Sequence, residues 1–265
     1  MKNTIYFILL LTLTISSCSD YEKLLKSSDY QLKYDKAFEY FEKEDYIRSA
    51  TIFEQIANVY RGTNKADTLQ YYRAMAYYYQ KDYTMASHYF DELAQTYKNS
   101  EFAEESAYLN AYCYYKLSPR PSLDQENTYK AINAFSLYLI GNPQTEKKEE
   151  CIALISEMRE KLVEKSFLNA TLYFDRGLYK ASVVALRNSL TDYPDTKYRE
   201  ELMFLILQSN FLLAENSIIE KQKERYQNTI DEYYSFIAEF EKGSYEKEVK
   251  YMYEHSMSVL GLEIN

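Results

Sequence analysis

The sequence predicts an all-α protein: an α-solenoid of about five helical hairpins stacked in series, followed by a C-terminal helix. Three observations carry that prediction. The run EDYIRSATIF (44–53) returns 37 positions later as KDYTMASHYF (81–90), with Asp-Tyr, a small residue and Phe in register. Only 5 Gly and 4 Pro occur in 265 residues, far fewer turn residues than a β-sandwich or an α/β fold requires. Within each copy, small and large residues fall three or four apart, which places them on one face of a helix.

The N-terminal 17 residues form a different element. Met1–Thr4 carries a single Lys, and Ile5–Ile15 is apolar apart from two Thr. That core of about 11 residues is shorter than the roughly 20 a spanning helix needs, and matches a signal-peptide hydrophobic region. It closes on Ile15-Ser16-Ser17-Cys18, which resembles the lipobox of bacterial lipoproteins: an aliphatic residue, two small ones and the Cys to be lipidated. The expected organisation is a cleaved lipoprotein signal at 1–17 and a lipidated tether at 18–28 starting with Cys18. The alternative is a secretory signal with a coincidental Cys. Loss of Lys2 would leave 30 basic against 40 acidic residues, net −10. Two or more acyl chains, at about 0.8 kcal/mol per buried methylene, hold a protein on a membrane essentially permanently. Ser19, rather than Asp, after the Cys is compatible with sorting to an outer membrane.

Repeats 1–3 are expected over 29–145. In the first copy, Ala37, Tyr40, Asp45, Tyr46, Ser49 and Phe53 set the pattern; in the second, Ala74, Tyr77, Asp82, Tyr83, Ala86 and Phe90 repeat it. The third is stretched: Ala111 and Tyr114 begin it, Ala131, Phe135 and Pro143 finish it, and the insertion LSPRPSLDQEN (117–127) lies between. Each copy reads as helix, tight turn, helix. The Ala permits close approach of the partner helix, the Asp of the turn caps the second helix, and the following Tyr packs under the corner. One such hairpin cannot bury its own apolar face, so it must stack on a neighbour.

The segment 146–265 is expected to hold a long linking helix, repeats 4 and 5 and the C-terminal helix. No breaker interrupts Glu146 to about Phe174. The fourth copy carries Ala170, Tyr173, Gly177, Tyr179, Ser182, Leu186 and Pro194. A more degenerate fifth pair spans 199–217 and 221–241, and a last helix runs from Tyr245 to about Leu260. The 31 Tyr, as in Tyr77-Tyr78-Tyr79, divide between core and an amphipathic surface able to meet a partner.

Catalytic patterns are absent. There is no Gly-rich phosphate loop, no nucleophile elbow and no His-rich cluster. EKKEE (146–150) reads as a solvated helix face. Cys113 and Cys151, with only His88 and His255 to help, match no metal spacing. They are expected to be two buried helix residues, with a disulfide between adjacent helices as the alternative. No enzyme activity, metal, cofactor or small-molecule substrate is expected. A formal net charge of −9 argues against nucleic acid and against electrostatic docking on anionic lipid. The lack of Trp argues against a sugar-binding lipoprotein. A protein-interaction scaffold remains, because stacked hairpins offer a groove for segments of other proteins.

The spacing of small and aromatic residues resembles the tetratricopeptide repeat. More specifically, LYFDRGLYKASVV (172–184) followed by LTDYPDTKY (190–198) is similar to the fourth repeat of the BamD family, lipoproteins of the β-barrel assembly machinery. The resemblance implies a periplasm-facing protein anchored in the outer membrane. It would bind the POTRA region of a BamA-like barrel protein through its C-terminal repeats. Its N-terminal repeats would receive unfolded outer-membrane proteins by an aromatic C-terminal strand. The family residues implicated in that reading match Asn58 and Tyr60 in IANVYRGT (56–63), where Arg61 replaces the usual Pro. An Arg important for the BamA contact aligns with Ala185, two residues from Arg187, whereas Arg176 matches the Arg of the family's Arg-Gly corner. Arg176 could equally cap the preceding helix. The alternative is another tetratricopeptide-repeat lipoprotein scaffolding a different cell-envelope complex.

Overall fold

The computed structural model describes residues 20–263, so the expected signal peptide and Cys18 lie outside the described residues. The described residues divide into two compact units, one comprising residues up to 119 with 125–158, the other 120–124 with 159 onward. In the first unit, α1 (Tyr30–Glu42) and α2 (Tyr46–Tyr60) form one hairpin, α3 (Ala66–Tyr79) and α4 (Tyr83–Thr96) a second. α5 (Ala103–Leu117) and α6 (Glu126–Gly141) make the third, and α7 (Lys148–Asp175) begins in this unit. The second unit holds the rest of α7 with α8 (Tyr179–Asp192), α9 (Arg199–Glu215), α10 (Ile219–Glu239) and α11 (Glu246–Leu260). Consecutive helices pack on one another from α1 to α6 in the first unit and from α8 to α11 in the second. The helix expected from Glu146 is α7, and the two helices of the expected pair at 199–217 and 221–241 are α9 and α10. Residues 20–26, inside the expected tether, are helical, and Leu24 is buried in the cluster with Ala37, Phe53 and Ile56.

The repeated residues build the core. Ala37, Ala74 and Ala111 on the first helices are fully buried, as are Ser49, Ala86 and Ala131 on the second. Four positions beyond each of these, Phe53, Phe90 and Phe135 are also fully buried. In the second unit Ala170, Ser182 and Leu186 play the same parts. Complete burial of each large side chain is worth about 1.5–3 kcal/mol. A Ser in the small position must satisfy its hydroxyl: Ser49 Oγ donates to the Ala37 carbonyl at 2.9 Å, and Ser182 Oγ lies 3.0 Å from Ser209 Oγ.

The turns repeat as closely as the core. Glu44, Lys81 and Gly177 each take a left-handed conformation, with φ of 61°, 63° and 70°. The next residue's amide then donates back five positions: Asp45 to Tyr40, Asp82 to Tyr77 and Leu178 to Tyr173, at 2.9–3.0 Å. This closes the preceding helix with a left-handed cap. Glycine adopts that conformation freely, whereas Glu44 and Lys81 carry a strain of order 1 kcal/mol each. The expected Asp caps are present in the first two turns: Asp45 accepts from the Arg48 amide and Asp82 from the Met85 amide. Leu178 occupies the same backbone position and supplies no side-chain cap. Tyr46 stacks on Tyr79 at 4.9 Å and Tyr83 meets Tyr78 edge-on at 5.5 Å, so the turn tyrosines pack at the corners.

Cys113 and Cys151 are free and fully buried in the core of the first unit. Burial pushes the Cys113 thiol up to about 12 and the Cys151 thiol up to about 11. They are packing residues, in accord with their expected place inside helices.

Candidate functional site

Two concave features, one in each unit, involve positions that the sequence singles out. The first opens where the end of α2 meets α3 and α4. Asn58 and Arg61 line it, together with Gln70 and Arg73 of α3, and Glu92 and Tyr97 at the end of α4. Its volume is about 150 Å³. Arg73 is only 7% exposed, and its guanidinium lies over the Tyr89 ring, 3.8 Å from the centroid. It donates to Gln70 Oε1 at 2.5 Å and to Glu92 Oε2 at 3.4 Å. A longer ion pair of 4.0 Å joins it to Glu54, whose Oε1 also accepts from the Tyr77 and Tyr89 hydroxyls. Burial and the Glu54 carboxylate push the Tyr77 hydroxyl up to about 12, and the same two causes raise that of Tyr89.

Tyr60 is not in that pocket. Its hydroxyl donates to the Tyr30 carbonyl at 3.2 Å, and its ring lies 5.1 Å from that of Tyr34, with Lys65 Nζ 4.4 Å from the Tyr34 centroid. Tyr30 is exposed, so this aromatic cluster forms a second rim on the other side of α2. The structure therefore brings Asn58 and Arg61 together and sets Tyr60 apart. The Arg73 network was missed by the sequence reading, although a signal existed. An Arg embedded in YYRAMAYYY, beside the fully buried Ala74, falls on a core-facing stripe where only a paired charge can sit.

The second feature is an open groove of about 1040 Å³ along the hairpin of α7 and α8 and the end of α9. Its apolar lining includes Tyr173, Leu178, Val184, Ala185 and Leu213, with Lys180, Asn188 and Asn216 among the polar groups. Leu178 and Val184 are each more than half exposed, at 51% and 58%, and they lie side by side on one groove. Ala185 faces this groove, but Arg187, two positions on, points away and pairs with Glu232 of α10. Burial raises the Glu232 carboxyl, and the Arg187 charge opposes that rise. Arg176 is exposed in the turn before α8, where its backbone amide donates to the Leu172 carbonyl at 3.3 Å. Leu178 and Val184 were also missed as site residues; the clue was a Leu in the turn where the other copies carry Asp.

Fold and surface together define a class: a helical-repeat scaffold, with concave surfaces and apolar edges suited to holding other polypeptides. Over residues 27–227 the sequence matches the YfiO family, described as outer membrane lipoproteins. The chain belongs to this family, that of the BamD outer membrane lipoproteins. No curated protein matches it. Among solved structures, it is similar to the TPR2AB domain of yeast Sti1 in its pHSP90 complex, at 13% identity and a TM-score of 0.38, covering 86% of this chain and 98% of that one. It is also similar to the tetratricopeptide domain of P58(IPK), at 14% identity and a TM-score of 0.41, covering 91% and 68%.

Proposed function

We propose that this outer membrane lipoprotein is a non-enzymatic scaffold of the β-barrel assembly machinery. It binds the periplasmic POTRA region of a BamA-like barrel protein and helps receive and insert unfolded outer-membrane proteins. Acyl chains on Cys18 hold it at the membrane, facing the periplasm. Repeats 1–3 receive client strands, and the segment from 146 onward carries the barrel-protein contact.

One observation carries this reading beyond family membership. The groove beside α8 exposes Leu178 and Val184 around Ala185, the position aligned with the family's contact Arg. An apolar groove supplies the non-directional part of an interface, and the exposed Arg176 in the turn beside it supplies a charge at its margin, whereas Arg187 is turned away toward Glu232. In the first unit, Asn58 and Arg61 offer hydrogen-bond donors to an extended segment, and the Tyr30–Tyr60 rim offers aromatic faces.

Binding of a purified POTRA domain to the full chain in detergent, followed by calorimetry, tests the reading. Saturable binding that Val184→Glu weakens at least tenfold is expected; absence of binding would refute it. Cys18→Ala is expected to release the protein from the membrane fraction. Retention after carbonate washing, in a strain lacking the barrel partner, would refute lipid anchoring.

A further inference from the structure

We propose that the turn edge of the first two hairpins, centred on Ile47, lies on the phospholipid surface at headgroup level. The proposal rests on acylation of Cys18 and adds which face of the protein that anchor presents to the lipid. Three observations carry it.

The first is the length of the connection. Cys18 lies outside the described residues and precedes Asp20 by two positions. Two residues span at most about 7 Å, and the headgroup layer on each side of a bilayer is about 5–7 Å thick. The helix at 20–26 therefore starts at the membrane surface. It is also fixed to the first unit. Leu24 is buried with Ala37, Phe53 and Ile56, and Lys33 Nζ donates to the Leu25 carbonyl at 2.9 Å. The expected tether is thus a rigid mount with little slack.

The second is the place where that helix begins. The Tyr21 ring meets Tyr40, in the last turn of α1, edge-on at 5.7 Å. The guanidinium of Arg48, in the first turn of α2, lies 5.1 Å from the Tyr21 centroid. The anchored end therefore sits beside the turn joining α1 to α2. The turn joining α3 to α4 continues the same edge: Tyr46 stacks on Tyr79, and Gln80 Nε2 donates to the Tyr46 carbonyl at 3.1 Å.

The third is the chemistry of the edge. Ile47, next to Arg48, is 69% exposed, and Tyr79 is 47% exposed. Residues 43–48 and 80–83 contain three basic and three acidic side chains, so the edge has no net charge. An exposed aliphatic side chain flanked by tyrosines and lysine stems suits the boundary between headgroups and acyl chains. Neutrality suits zwitterionic lipid and asks for no anionic headgroup. Because the acyl chains keep the local lipid concentration high, a contact too weak to bind membranes alone is sufficient. α2 has 15 residues and is about 22 Å long. Asn58 and Arg61 lie at its other end, so this contact turns their pocket away from the lipid.

The experiment reconstitutes the full-length acylated protein in phosphatidylcholine vesicles containing a nitroxide-labelled lipid. A fluorophore is placed on Ile47→Cys, or on Asn99→Cys in the turn after α4 as the control; the buried Cys113 and Cys151 stay unlabelled. Flotation with the vesicles reports anchoring separately. Quenching at position 47 is expected to exceed that at 99 about threefold and to persist in high salt. A label on Lys43→Cys checks that the fluorophore does not create the contact: adding Ile47→Glu should lower its quenching about twofold. Ile47 is exposed, so these replacements leave the core intact. Equal quenching at 47 and 99 in protein that floats would overturn the proposal and leave anchoring standing. Failure to float would overturn anchoring as well. Undiminished quenching at Lys43→Cys with Ile47→Glu would remove Ile47 from the contact and contradict the assignment.

Discussion

Asn58 and Tyr60, two residues apart near the end of α2, serve different surfaces: Asn58 lines the pocket with Arg73, while Tyr60 donates its hydroxyl to the Tyr30 carbonyl at 3.2 Å. A helix places such neighbours on nearly opposite faces. Their substitutions should therefore separate. Asn58→Ala is expected to leave thermal stability unchanged and to weaken binding of an aromatic client-strand peptide. Tyr60→Ala removes the packing on Tyr34 and should cost about 1–2 kcal/mol in urea denaturation. It should also weaken aromatic peptides several-fold, whereas Tyr60→Phe should do neither. Unchanged peptide affinity in Tyr60→Ala would confine that residue to packing.

The turn at Leu178 allows stability and binding to be moved in opposite directions. Its φ and ψ of −86° and 58° nearly coincide with those of the caps Asp45 and Asp82. Leu178→Asp should thus cap α8 and raise stability by about 0.5–1 kcal/mol. Placing a carboxylate at the edge of the apolar groove should at the same time abolish POTRA binding. Asp45→Ala and Asp82→Ala should each lose about 1 kcal/mol. A Leu178→Asp protein that still binds the POTRA domain would exclude the groove as the contact.

The repeat arithmetic and the turn pattern were readable because they are local. Ala37, Ser49 and Phe53 lie within one hairpin, and a small residue four positions before a large one can mean little else on a buried helix face. Concave features were harder to foresee because they are made by residues distant in sequence. Arg73 is flanked by Tyr72 and Ala74, and nothing nearby in the chain announces that Glu54 and Glu92 come from two other helices to meet it. Arg187 illustrates the same difficulty: its partner Glu232 is 45 positions away, and only the folded unit turns it from the groove. The left-handed turns were equally hidden at Glu44 and Lys81, since only the copy with Gly177 displays the residue that this conformation prefers.

The pair of Arg187 and Glu232 makes stability depend on pH in a definite direction. Burial raises the folded-state value of the Glu232 carboxyl above its ordinary 4.5. The folded protein therefore holds that proton more tightly than the unfolded chain, so this group's contribution falls as pH rises from the unfolded to the folded value. Arg187 offsets the loss by pairing with the carboxylate. Arg187→Ala should consequently lower stability, relative to wild type, more at pH 7 than at pH 4. Urea midpoints measured at both values decide it, and an equal loss at both would show that the pair carries no titratable coupling.

The two buried thiols give a direct test of the first unit's core. Cys113 and Cys151 lie inside it with values raised to about 12 and about 11. At pH 8 neither should form appreciable thiolate, and neither should react with a maleimide until urea unfolds the chain. Mass spectrometry of peptides containing each cysteine distinguishes this from a disulfide, which would block labelling even in urea without reductant.

Affinity copurification from solubilised membranes bears most directly on the role assigned to this lipoprotein. With the tagged full-length protein as bait, a BamA-like barrel protein should co-elute with wild type and be lost with Leu178→Asp. Recovery of a different envelope complex, with no barrel-forming protein, would contradict that role and favour a scaffold of another kind.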